Sequence, residues 1–395
     1  MTDTPSAAAL RPIWLSLLLL WLAGNALRLT ILAVPPVIPF IHDDLHLSET
    51  QIGILTGLPS MLFAIAAVPG SLLIARLGVA AALVTGLALT ALGGALRGAT
   101  DHVLWLYAMT VIMAAGVAIM QVTMPPAVRA WMPNRIGFST AVYTNGLLIG
   151  EILPVALTTA LVLPLVGSWQ WAFAFWSVPV AAIAAIVLPL APRTPLSVAS
   201  TPRRRWWPNW SDPLIWRLGI MLGTVNAMYF GTNAFLPDYL SHTGSREWIS
   251  PALTALNVGQ LPASFFLLAM AGRLERQPMP YVICGVVGLA ALAGIVFGHG
   301  AWIVASAALL GCFGAAILIL ALALPPLLAA PDDVHRVTAA MFTISYSCAV
   351  VAPVLSGLFW DLSGIPASAF LPIAACLVVL IVLAPAIARV RAYGS

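Results

Sequence analysis

The sequence predicts an all-α membrane protein of twelve transmembrane helices, built as two pseudo-symmetric six-helix bundles. Composition, the spacing of apolar runs and an internal repeat predict it. Of 395 residues 61% are hydrophobic and only 8% charged, with a mean hydropathy of +1.01. A soluble globule carries about 25% charged residues. Runs of about 20 apolar residues, enough to cross a bilayer, recur near 13–38, 50–75, 79–98, 103–127, 138–163 and 170–191. A second set follows near 214–240, 249–271, 279–299, 301–325, 337–360 and 367–388. The polar gap between the sets, with Arg203-Arg204-Arg205, divides the chain into a first bundle (1–191), a linker (192–213) and a second bundle (214–395).

The repeat has an offset of about 200 residues, in the manner of parallel six-helix repeats. Asn25 falls on Asn226, Pro36 on Pro237, Leu58-Pro59 on Leu261-Pro262, Pro125-Pro126 on Pro325-Pro326, Arg135 on Arg336 and Pro154 on Pro353.

Taken in order, the first span follows Arg11 and is too long, and too poor in small residues at its end, for a cleaved signal. Prolines at 59, 125, 126, 154, 262 and 353 mark kinks in spans two, four, five, eight and eleven. Gly53-x-x-x-Gly57, Gly146-x-x-x-Gly150 and Gly294-x-x-x-Gly298 allow close helix approach in spans two, five and nine. The cysteines at 284, 312, 348 and 376 lie inside spans, form no CxxC pair and read as packing residues.

Charge placement predicts orientation. With a cytoplasmic N-terminus, fourteen arginines fall inside, among them Arg76, Arg129, Arg135, Arg273, Arg276 and Arg336, and only Arg97 and Arg246 fall outside. Both termini are thus expected in the cytoplasm, and the protein in a bacterial inner membrane. The formal charge of +4 is a topology signal and calls for no nucleic-acid partner.

Arg28 stands out within the first span, roughly 22 Å into a hydrocarbon layer about 30 Å thick. A charge at that depth marks a functional site and needs a wet cavity or a partner. Glu151 is the one carboxylate near the middle of a predicted span, at similar depth. Repeat positions shared by both halves read as architecture, and those that break the repeat as function. Arg28 maps to Tyr229, Gln121 to Ala321 and Glu151 to Ala352, so the polar equipment is concentrated in the first half.

Helical spacing extends the candidate set. Asn25 shares a face with Arg28. Asn226, Tyr229 and Asn233 form a stripe on span seven, and Asn257, Gln260 and Ser264 another on span eight. Gln121 on span four, Tyr143 on span five and Tyr346 on span eleven complete the predicted solute-binding group. An Arg28–Glu151 ion pair, displaced by a substrate anion as Glu151 takes up a proton, is the expected chemistry.

The stretches Asn25-Ala-Leu-Arg28, Pro35-Pro36-Val-Ile-Pro39, Gly94-Ala-Leu-Arg97, Met124-Pro-Pro-Ala-Val-Arg129 and Ala234-Phe-Leu-Pro237 resemble those of the major facilitator superfamily, and within it of the cyanate permease and 2-nitroimidazole transporter family. The resemblance implies a monomeric secondary transporter of a small anionic or polar solute, a proton symporter working by alternating access without a cofactor. One motif departs. The superfamily's G-x-x-x-D-R-x-G-R loop here carries Ala75 for the acid and Val79 for the last base. Arg76 is expected to keep a conformational contact on the cytoplasmic side.

The runner-up is a multidrug exporter, of whose fifth-helix glycine-proline motif only fragments occur between Gly146 and Pro154. A transporter-shaped receptor is the third reading. All 17 basic residues are arginine, so there is no P-loop or Schiff-base lysine, and neither an ATP-driven pump nor an enzyme is indicated. His42-Asp43-Asp44-Leu-His46 could mimic a metal clip but reads as a solvated loop, and no metal is expected.

Overall fold

The computed structural model describes residues 12–47, 49–192, 206–270 and 272–388. Twelve long helices run through them. In the first half these are α1 (Ile13–Leu32), α2 (Glu49–Leu77), α3 (Val79–Leu96), α4 (Val103–Trp131), α5 (Ile136–Leu157) and α6 (Trp169–Leu190). In the second they are α7 (Pro213–His242), α8 in two pieces (Ile249–Val258 and Gln260–Met270), α9 (Pro278–Phe297), α10 (Ala301–Leu328), α11 (Val334–Ser363) and α12 (Leu371–Ala388). Eleven are long and apolar enough to cross a membrane. α7, 30 residues long, is diluted by Arg217, Asn226, Asn233 and Asp238, the price of carrying a polar stripe.

Proline chemistry explains the irregularities. Pro262 has no N–H for the carbonyl four residues back, and α8 breaks beside that residue, at Gly259. Pro154 leaves α5 similarly short of a bond. A π-helical turn follows at Thr158–Val162, where the Thr158 hydroxyl donates to the Pro154 carbonyl at 2.5 Å. The first predicted span ends early: α1 gives way to a 3-10 turn at Pro35–Val37 and a short helix at Ile38–Leu45.

Helix pairing repeats between the halves. α1 packs on α5 as α7 does on α11, α3 on α4 as α9 on α10, and α3 on α6 as α9 on α12. The halves meet through α2 against α11 and through α5 against α8, two contacts related by the same pseudo-symmetry. One apolar cluster is continuous across both halves; a second belongs to the second half alone, at the ends of α7 to α10 and α12 away from the chain termini. The side where α1 starts and α12 ends is here called the terminal face, and the opposite side the distal face. Much of the predicted linker, including Arg203 to Arg205, lies outside the described residues, as do Arg11, Arg193, Arg389 and Arg391.

Candidate functional site

Glycine builds the site. A Cβ at Gly24 would stand 2.0 Å from the Tyr143 carbonyl oxygen, one at Gly146 2.2 Å from that of Trp21, and one at Gly150 2.2 Å from that of Asn25. α1 and α5 therefore touch backbone to backbone along about two turns of α5, as small-residue faces allow without a hydrophobic drive. The approach delivers Arg28 to Glu151: Nε donates to Oε1 at 3.0 Å, with side chains 12% and 17% exposed. The expected pair is present, and it keeps limited contact with solvent.

Other predicted residues join it. The Phe63 ring of α2 lies 5.8 Å from the guanidinium carbon and meets Tyr346 edge-on at 5.0 Å. The Tyr346 hydroxyl accepts from Gln121 at 2.5 Å and lies within reach of Arg28, so it ties α1 and α4 to α11. Tyr229, the repeat-mate of Arg28, stands near both charges and donates to Asn257 Oδ1 at 2.7 Å, with Gln260 also in reach. Arg28, Glu151, Gln121, Tyr229 and Tyr346 are thus one polar cluster drawn from both halves.

The remaining candidates make other contacts or none. Asn226 donates to Ser345 at 2.8 Å and braces α7 against α11. Asn233 donates to the Tyr229 carbonyl of its own helix. Asn25 is buried at the α1–α5 contact. Tyr143 is buried in the core, its hydroxyl without a hydrogen-bond partner among the described residues. Arg76 is exposed and has no side-chain partner among the described residues, and Ala75 stands where the superfamily has the acid. Gly57 meets nothing within 4 Å, so no close helix approach occurs there.

Sequence reasoning missed several polar groups. Arg97, placed on the outer side by the charge count, is fully buried. Its Nη2 donates to the Thr30 carbonyl at 2.6 Å, capping the end of α1, and its carbon lies 4.1 Å over the Phe173 ring. Asn145 was not singled out, yet it accepts from Trp21 at 3.1 Å and donates to Ser264 at 3.1 Å across the halves. Arg129, counted among the inner-side topology charges, donates to the Pro326 carbonyl at 2.5 Å. Phe63 carried no sequence signal that separates it from other apolar residues of α2.

These bonds report conformation. Arg129–Pro326 and Asn145–Ser264 lie toward the terminal face, while Gln121–Tyr346 and Thr343–Ala64 lie near mid-depth. Toward the distal face the second half packs on its own cluster. The bonds between the halves thus run from mid-depth to the terminal side, and the distal apolar cluster takes no residue from the first half.

Twelve long helices in two repeats, eleven of them apolar enough to cross a membrane, with a charged cluster at their junction and one side closed, define a membrane carrier. The chain belongs to the Major Facilitator Superfamily, whose profile matches residues 18–353. It is 27% identical over 361 residues to the cyanate transport protein CynX of Escherichia coli (strain K12), covering 88% of this chain and 90% of that one. It is 26% identical over 298 residues to the uncharacterized transporter YycB of Bacillus subtilis (strain 168), covering 74% and 73%. It is also 26% identical over 228 residues to the Escherichia coli 2-nitroimidazole transporter, 57% of each chain. Among solved structures, FucP in its outward conformation superposes with a TM-score of 0.73 at 16% identity, over 96% of this chain and 99% of that one. The proton:xylose symporter XylE gives 0.74 at 13% identity, over 96% of both. At such identities the likeness is one of fold.

Proposed function

We propose that the chain is a proton-coupled secondary carrier that brings a small anionic or polar solute, cyanate-like or nitroheterocycle-like, into the cell across a bacterial inner membrane. The single observation that carries this reading is the Arg28–Glu151 pair, 3.0 Å long, partly exposed and beside residues of both halves. The terminal face is then cytoplasmic and the present state outward-open. The protein acts as a monomer without cofactor, its partners the solute, protons and the lipid bilayer.

A buried ion pair contributes little net stability after desolvation, so its guanidinium can be transferred to another anion at modest cost. A solute acceptor takes the Arg28 N–H groups, and the released Glu151 carboxylate accepts a proton. Tyr346 and Gln121 sense the exchange because the same hydroxyl faces both Arg28 and α4. Their rearrangement lets the halves rock about the site. The 26–27% identity to carriers of cyanate and 2-nitroimidazole supports the solute class.

The test is a panel of small anions and neutral heterocycles, including cyanate and 2-nitroimidazole, screened by thermal shift on purified wild type and Arg28→Gln. A ligand that stabilises the wild type and loses its effect in Arg28→Gln is expected. Equal stabilisation of both proteins would remove Arg28 from the binding site.

A further inference from the structure

A second charged feature lies on the terminal face, at the seam between the halves. A cavity of about 590 Å³ opens there between the α4–α5 turn and the α8–α9 turn. Arg135 lines it from the first half, and Arg273, Arg276 and Gln277 from the second. Arg135 and Arg273 are exposed, and neither guanidinium has a hydrogen-bond or ion-pair partner among the described residues. Glu275, the carboxylate of the lining, is 5% exposed and turned inward. It accepts from the Gly272 N–H at 2.7 Å and presses on the first turn of α5, where a Cβ at Gly137 would stand 1.9 Å from Oε1. The lining therefore holds three guanidiniums against one carboxylate, a formal +2 (3 − 1), with the carboxylate withdrawn from the opening.

Arg135 follows the end of α4 at Trp131, and Arg273 the end of α8 at Met270. That level is the headgroup layer of the adjoining leaflet. We propose that this crevice binds a phosphate-bearing anion, and that in the membrane the group is the headgroup of an anionic phospholipid, held jointly by the two halves. Planar guanidiniums recognise phosphate oxygens through paired N–H donors, which the crevice offers from two directions. Because the lining comes from both halves, the site is complete only while the terminal face is closed. A ligand that binds one state alone shifts the population toward it, so the lipid stabilises the present conformation and slows opening on this side.

The experiment compares full-length protein in phosphatidylcholine nanodiscs with and without phosphatidylglycerol, reading bound lipid by native mass spectrometry and the separation of spin labels on Asn134 and Gln277. Wild type is expected to retain phosphatidylglycerol and to show a narrower, shorter distance distribution with it. Arg135→Gln and Arg273→Gln should each weaken retention about fivefold, whereas Arg217→Gln, exposed on the same face and outside the crevice, should leave it unchanged. Equal retention by all four proteins, or equal loss in Arg217→Gln, overturns the site. In detergent without lipid, inorganic phosphate is expected to protect the wild type weakly. Full protection by phosphate, with no gain from phosphatidylglycerol, would overturn the lipid as its source. The wild-type comparison stands even if a variant fails to fold, and Arg28→Gln should keep the lipid effect, so this proposal and the solute site fail separately.

Discussion

Glu151 has one polar contact that matters, the Arg28 guanidinium, and that makes it a sharp experimental target. Glu151→Gln keeps the shape and removes the titration. Uptake by this variant is expected to persist but lose its dependence on external pH, measured in proteoliposomes with an imposed pH difference; an unchanged profile would remove Glu151 from coupling. Arg97 makes a different prediction. The carbonyl end of α1 and the Phe173 face offset part of its charge, while Nε and Nη1 have no hydrogen-bond partner among the described residues. Losing a charged hydrogen bond and a desolvated cation–π contact in Arg97→Met costs about 2–4 kcal/mol, read as a lowered melting temperature, while the exposed Arg246→Met should melt like wild type. Both residues were visible in the sequence, but burial was expected only for Arg28. Depth within an apolar run marks a buried charge, whereas Arg97 sits at a helix end where burial depends on which neighbours cover it.

At the scale of elements, the α1–α5 contact is the most exacting part of the bundle. Gly150→Leu would drive a side chain into the Asn25 backbone. Overpacking of this kind costs about 1–3 kcal/mol, and here it also pushes Arg28 away from Glu151. Loss of solute-induced stabilisation together with a lower melting temperature is expected, while Gly57→Leu, facing open space, should leave both intact. The spans themselves were legible from hydropathy, and the two sixfold sets from recurring prolines and asparagines. The break in α8 was placed at Pro262 by sequence; the chain yields at Gly259 because the proline deprives the preceding turn, not its own, of a bond. Partner choice was less legible: Asn226 and Asn233 share a polar stripe with Tyr229, yet their bonds go to Ser345 and to their own backbone. Spacing fixes a face, and packing decides what that face meets.

For the whole molecule, closure rests on bonds from mid-depth to the terminal face. Tyr346→Phe removes the hydroxyl that joins Gln121 to the Arg28 neighbourhood. Spin labels at the distal ends of α1 and α7 should then report a population with the distal side closed, larger than in wild type; an unaltered distribution would mean that this hydroxyl does not govern the switch. The loop motif with Ala75 did not point to the terminal-side seam, which Arg129 and Glu275 hold instead. Glu275, in the α8–α9 turn, presses on α5 from the opposite half. Reading one repeat at a time hides such an exchange, because the contact forms between halves.

The backbone contact between α1 and α5 has an electrical consequence. Arg28 and Glu151 ride on helices locked together, so they cross the membrane field as a neutral dipole and do not travel as separate charges. The empty carrier then returns without gating charge from this pair, and a bound anion with a proton on Glu151 keeps the sum unchanged. Moving one net charge through 100 mV is worth about 2.3 kcal/mol, a drive that this arrangement forgoes. Uptake should follow the pH difference and ignore a potassium diffusion potential set with valinomycin.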